Sequence, residues 1–262
     1  MIIHHGSGGV TEGREHRYAR EIVAMGVAAA VIDSFKPRGI QSTVSDQGSV
    51  SSLEMAADAF AVLGVLAKHP RIDGSKVGIV GFSKGGTVAL MTAHERHAVR
   101  MLPQGPRFAL HVPVYPACNS HDYKPKTTGA PILMLIGAAD TYAGVKPCTE
   151  YADKLKAEGA KVTVKIFPGA AHGFDSDKAY SIAKGENWSR CVFEQQADRS
   201  WKEQVSGLLT SDAKGQQIAA AHQAALAKCR TLGVSGGPNP VAKAAAMSDL
   251  KAAIRASLLG VR

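Results

Sequence analysis

The stretch KVGIVGFSKGGTVALM, Lys76 to Met91, decides how the rest of the chain is read. Its first half is a short apolar run of strand character, and its second half has the small and apolar residues of a helix that packs closely on a sheet. Between them, Gly81-Phe82-Ser83-Lys84-Gly85 has the form G-x-S-x-G. A strand that passes straight into a helix must turn sharply, and glycines two positions either side of the central residue let strand and helix approach. Such a turn lifts Ser83 above the carboxyl edge of a parallel sheet, where ligands are presented. It also aims the Lys84 N–H at any oxyanion forming there. A glycine-rich packing turn has the same appearance, so the serine alone assigns no chemistry. A Walker A loop is excluded, because Gly85-Gly86 follow Lys84 where Ser or Thr is needed.

Outward from this stretch, apolar runs and helix-like segments alternate. The runs are Ile2–Ile3, Val27–Ile32, Val77–Val80, Phe108–Val114, Ile132–Ile136 and Val162–Phe167; the helical segments include Glu15–Met25, Leu53–Lys68, Thr87–His97 and Thr149–Glu158. Continuous rather than alternating apolar strands suit a sheet covered on both faces. The pattern predicts a doubly wound, mostly parallel α/β sheet with helices on both faces. After Phe174 the chain turns polar and irregular, then reads as two helical stretches at about 213–228 and 240–259, separated by a Gly/Pro hinge, GVSGGPNP. The expectation is one domain over 1–262, with a long insertion at about 175–235 before the C-terminal helix. The start, MIIHHGSGG, enters almost directly on a strand end and its loop, so strands expected before it are absent from this sequence, as is any export signal they carried.

A serine hydroxyl attacks carbonyls only when a base removes its proton and a third group orients that base. The order nucleophile, acid, histidine, each after a successive strand, belongs to α/β-hydrolase sites. Here PILMLIGAADTYAG places Asp140 three residues beyond Gly137, and KVTVKIFPGAAHGFD places His172 in a loop of small residues. Ser83, Asp140 and His172 are therefore the expected catalytic triad. Asp175 and Asp122 are rival acids, and Asp33 is a weaker one. A second oxyanion donor is expected in HHGSGG, from the backbone N–H of Ser7 or Gly8, with His5 bracing the loop. A dinucleotide loop is excluded there because Thr11 stands where the third glycine or an alanine belongs.

HHGSGG, VIDSFKPRG, GIVGFSKGG, GAADTYAGVKPC and PGAAHGFD together resemble the dienelactone hydrolase family of α/β-hydrolases over residues 1–175, and more loosely as far as the C-terminal helix. The resemblance implies an acyl-enzyme hydrolysis of small carboxylic esters or lactones, with no metal or organic cofactor. The best-known members carry a cysteine nucleophile where Ser83 stands. A serine, with its far higher pKa, depends more on His172 as base and shifts the expectation to a general carboxylesterase, a serine esterase. An amidase or peptidase on the same triad, or a non-catalytic truncated protein of this fold, remains an alternative. The segment around Cys191 and Cys229 resembles an extended subgroup often found exported. Taken with the strands preceding Cys118 and Cys148, this implies bridges Cys118–Cys148 and Cys191–Cys229 and favours a periplasmic or exported location. Four cysteines allow three pairings, and buried free thiols remain open as well.

The remaining signals narrow the partners. A formal charge of +9 over 262 residues suggests nucleic acid, but the basic residues are scattered without runs. The reading is a solvated surface, with neither nucleic acid nor membrane as partner and a small molecule as substrate; the oligomeric state is not legible. Arg38, after an early strand, is a candidate for holding a substrate carboxylate, with a neighbouring acid as its competing partner. HERH, His94 to His97, lacks the H-E-x-x-H spacing of a zinc site and reads as a solvated helix end. Cys118, His111 and His121 suit no common metal spacing. Only YPACNSHDYKPKTTG lies between Tyr115 and Gly129, too short for a cap domain, so the site stays open unless the late insertion covers it.

Overall fold

In the computed structural model, which describes residues 1–260, all six apolar runs enter one parallel sheet. The strands are β1 (Ile2–His4), β2 (Ala30–Ile32), β3 (Gly78–Phe82), β4 (Leu110–Val114), β6 (Ile132–Gly137) and β7 (Val162–Phe167), with the two-residue β5 (Ser120–His121) lying outside it. Their order is β2-β1-β3-β4-β6-β7. Strands β3, β4 and β6 are buried along their whole length, as expected of continuous apolar runs covered on both faces. Successive residues point to opposite faces. Ile3, Val80 and Phe82 face one core, with Tyr18 and Ile22 of α1 (Arg17–Val23) and Ala246, Leu250 and Ile254 of α7 (Pro240–Ile254). Ile2 and Ile79 face the other, with Met55, Phe60 and Leu63 of α2 (Ser52–Leu66) and Val88 of α3 (Lys84–Met91). Helix α4 (Glu95–Met101) follows α3, and α5 (Lys146–Ala157) covers β6.

Local sequence sets the helix starts. Ser51 opens α2 with a capping box: its hydroxyl accepts the Glu54 N–H, and the Glu54 carboxylate accepts the Ser51 N–H. Helix α3 begins without a gap after β3 because glycine removes the obstruction. A Cβ on Gly81 would stand 1.9 Å from the Gly85 carbonyl oxygen, and one on Gly85 would stand 2.5 Å from the carbonyls of His4 and His5.

The late insertion differs from its reading. Residues 175–212 are not irregular throughout: they contain β8 (Tyr180–Asn187), β9 (Phe193–Gln195), β10 (Trp201–Glu203) and β11 (Leu209–Ser211). Strands β9 to β11 extend β5 into a four-stranded sheet of order β11-β10-β9-β5. Helix α6 (Ala219–Cys229) follows, and the first half of the expected Gly/Pro hinge lies in strand β12 (Thr231–Gly236), paired antiparallel with β8. A polar, glycine-containing segment carries no strand periodicity of its own. Its backbone groups are satisfied by a partner some fifty residues earlier. The sulfurs of Cys118 and Cys148 lie 2.01 Å apart, and those of Cys191 and Cys229 2.00 Å apart; the second pair ties α6 to the insertion beside Phe193 and Leu226. Among the described residues, no helix is long and apolar enough to cross a membrane.

Candidate active site

Ser83 stands at the apex between β3 and α3 with φ 54° and ψ −117°, a conformation that costs an L-residue energy. The surroundings enforce it. The Ser83 N–H donates to the Val114 carbonyl of the next strand at 2.9 Å, and the Ser83 carbonyl accepts the first α3 bond from Thr87. Gly6, in the turn after β1, lies so close that a Cβ there would be 3.1 Å from that of Ser83.

Asp140 and His172 arrive from the ends of β6 and β7. Ala138 N–H donates to Phe167 O and Ala139 N–H to Ala170 O, both at 2.9 Å, so the two loops are laced together. Gly137 permits this, since a Cβ on it would lie 2.3 Å from the Ala170 carbonyl. His172 Nδ1 is 2.7 Å from Asp140 Oδ2, and its Nε2 is 2.9 Å from Ser83 Oγ. Asp140 Oδ1 accepts the N–H groups of Tyr142 and Ala143, each at 2.9 Å. Burial alone would raise the Asp140 carboxyl, but the His172 ring and those two N–H groups outweigh it and hold the acid below its ordinary value. An ionised Asp140 fixes the proton on Nδ1 and leaves Nε2 free to accept from the serine.

Two aromatic rings that the sequence reading missed hold the imidazole. Tyr115, directly after β4, and Tyr142, after Asp140, pack on His172 with ring centroids 4.7 and 4.6 Å away. Tyr115 donates its hydroxyl to Asp175 Oδ1 at 2.6 Å, which occupies that rival acid. Burial pushes the Tyr142 hydroxyl up to about 12, so it stays neutral, and it accepts from Gln47 Nε2 at 3.1 Å. Gln47 in turn accepts the Ser7 hydroxyl at 3.0 Å, linking the loop after β1 to the Asp140 loop. A position directly after a strand at the carboxyl edge was the available signal for Tyr115. Gln47 sits in a polar loop with no signal.

Other expected residues divide. Lys84 and Ser7 line the cavity at Ser83, whereas Gly8 is exposed on the outer side of its turn. The Lys84 ammonium donates to Gln47 O and Thr43 Oγ1, and desolvation lowers its pKa to about 8. His5 braces its loop, accepting the Ser34 N–H on Nε2 while Nδ1 meets Gly6 O. Asp33 caps the following turn through the N–H groups of Phe35 and Lys36. Arg38 does not reach the site: its guanidinium forms a bidentate pair with Asp58 of α2 at 2.7 and 2.9 Å, so the neighbouring acid takes it. The HERH segment is not solvated at its histidines. His94 and His97 are buried, and His94 meets Asp122 at 3.1 Å, which also takes Asp122 away from His172.

The insertion covers the site. A cavity of about 630 Å³ runs from Ser83 and His172 beneath Trp188, Phe193 and Trp201, within the size range of small-molecule sites.

Comparison with known proteins agrees with this architecture. The sequence profile described as the dienelactone hydrolase family matches residues 2–210. A curated relative from Bradyrhizobium sp., named a probable 2-oxo-3-(5-oxofuran-2-ylidene)propanoate lactonase, is 25% identical over 189 residues, covering 66% of this chain and 74% of its own. Among solved structures, a putative dienelactone hydrolase from Klebsiella pneumoniae superposes with a TM-score of 0.52 at 19% identity, over 66% of this chain and 75% of its own. An esterase from Thermogutta terrifontis gives 0.52 at 17% identity, over 67% and 72%. These structural likenesses bear on the fold.

Proposed function

The chain belongs to the dienelactone hydrolase family, and from that premise we propose that it is a serine hydrolase cleaving small carboxylic esters or lactones through an acyl-enzyme. One observation carries the reading: an unbroken hydrogen-bonded line from Asp140 through His172 to Ser83, at 2.7 and 2.9 Å, ending on a serine held at a strained apex. Ser83 Oγ attacks the carbonyl carbon while His172 Nε2 takes its proton. Asp140 stabilises the imidazolium, and Tyr115 and Tyr142 pack on the ring and restrict its rotation. The N–H of Lys84, in the first turn of α3 where N–H groups lack helical partners, receives the oxyanion. We assign the second donor to Ser7, because it lines the cavity and Gly8 does not. His172 returns the proton to the leaving alkoxide. Water, deprotonated by the same ring, then attacks the ester carbonyl, and the carboxylic acid leaves as His172 returns that proton to Ser83 Oγ. In a lactone the leaving alkoxide stays tethered to the acyl group, so the same steps open the ring. The two disulfides support assignment to an oxidising, exported location.

The test is hydrolysis of p-nitrophenyl acetate by the chain and by Ser83→Ala, with mass-spectrometric mapping of a fluorophosphonate label. The expectation is a loss of at least 10³-fold in kcat/KM in the variant, an unchanged melt, and the label on Ser83. An inert, folded parent chain or an equally active variant refutes the proposal.

A further inference from the structure

The cavity at Ser83 is longer than hydrolysis of a small ester requires. Thr87, Leu90 and Met91 line it from α3, four, seven and eight positions beyond Ser83 and therefore on one helix face. At a rise of 1.5 Å per residue, the face from Ser83 to Met91 is about 12 Å long. Trp188, Phe193 and Trp201 of the insertion roof it, and Leu53 at the start of α2 forms its rim.

The charged groups around this groove are already engaged, and burial lowers His97 and His222, which also line it, toward the neutral form. Arg96 pairs with Asp122 at 2.8 Å, and Glu186 accepts from Arg230 and from the Gln47 N–H. The Lys84 ammonium is turned to Gln47 O and Thr43. An anionic substrate arm would find no unused cation among them, and an arm that strips water from these aromatic and aliphatic walls must itself be apolar. The groove begins at Ser83, so its occupant is continuous with the carbonyl that the serine attacks.

We propose that this groove takes a neutral, elongated apolar arm of the ester, of about eight to ten carbons at roughly 1.25 Å per carbon of extended chain. The inference rests on the serine hydrolase reading and names its preferred substrate class. The arm belongs either to the acyl group or to the alcohol, and two substrate series separate these.

kcat/KM is measured for p-nitrophenyl esters with acyl chains from C2 to C10, and for acetates of alcohols of the same lengths. Both series are run on the parent and on Met91→Trp and Leu53→Trp, the second lying at the exposed rim, where bulk is tolerated by the fold. Burial of successive methylenes raises kcat/KM at least tenfold from C2 to C8 in one series. In that series, a tryptophan in the groove lowers the C8-to-C2 ratio at least tenfold. Active short esters with no rise in either series, or a ratio unmoved in both folded variants, overturn the groove assignment and leave the hydrolase reading standing. Hydrolysis of no ester at any length overturns both.

Discussion

Replacing Asp140 with asparagine tests the electrostatic logic of the site more sharply than removing the serine. Asp140 Oδ1 accepts two loop N–H groups and Oδ2 faces His172 Nδ1. In Asp140→Asn the amide oxygen must stay on the loop side. Turning it over would leave the Tyr142 and Ala143 N–H groups facing an NH₂, at about 1–3 kcal/mol for each buried donor left unmet. The NH₂ therefore points at Nδ1 and donates to it, which moves the ring proton to Nε2. That nitrogen then faces Ser83 as a donor and cannot take its proton. The expected loss in kcat is about 10⁴-fold, equivalent to about 5 kcal/mol of transition-state stabilisation, while the protein still folds because both loop bonds survive. The assay is steady-state hydrolysis of p-nitrophenyl acetate beside a thermal melt, with Asp175→Asn as comparison. Asp175 touches Tyr115 and not His172, so its variant loses far less. An Asp140→Asn protein that melts normally and keeps a tenth of the parent's kcat, or that outperforms Asp175→Asn, refutes the reasoning.

Acid should destabilise the fold through its buried histidines from about pH 6.5 downward. Burial lowers His4 and His97 to about 4 and His111 to about 3 from an ordinary 6.5. Their contribution to stability is therefore complete above about pH 6.5 and is lost as pH falls toward 4. Between pH 6 and 5 unfolding takes up two to three protons, so urea melts should lose about 3–4 kcal/mol per pH unit, and an unchanged midpoint over that range contradicts it. The double variant Cys191→Ala/Cys229→Ala opens a loop spanning 38 residues and should lose about 4 kcal/mol in denaturant titrations; an equal midpoint would show that the bridge constrains nothing. Ser83→Gly relieves the φ 54° strain and should be about 1 kcal/mol more stable than Ser83→Ala. A less stable glycine variant counts against strain at the apex.

The central strands were legible because a parallel sheet covered on both faces favours short continuous apolar runs, and the longer run FAVLGVL, Phe60 to Leu66, was set apart as helix by its place within the Leu53–Lys68 segment. Ser83, Asp140 and His172 were legible through their chain order, each following such a run. Legibility ended where a residue's partner is chosen by tertiary approach. Arg38 had two readings from sequence, a substrate carboxylate or a neighbouring acid, and the acid that takes it, Asp58, could not be named because it is carried on a helix that packs beside the loop. HERH read as a wet helix end, yet the loop carrying Asp122 folds over it and removes His94 from water. Strands β8 to β12 carry polar and glycine residues whose pairing is set by one another. Gln47, which joins Ser7 to Tyr142, had no neighbouring pattern to mark it.

The segment after β12 has a consequence for biosynthesis. The Gly237 N–H bonds the His172 carbonyl at 3.0 Å, the Asn239 N–H bonds that of Phe174 at 2.8 Å, and Gly236 has no room for a side chain against His172. A chain emerging from the ribosome has all six central strands once residue 167 is made, but the brace for the His172 loop comes some seventy residues later. At translation rates of about 5–20 residues per second, that interval is about 4–14 s. During it His172 and its loop have only Asp140, Tyr115, Tyr142 and the bonds from Ala138 and Ala139 to position them, so the last support of the proposed base is added after the sheet that carries it.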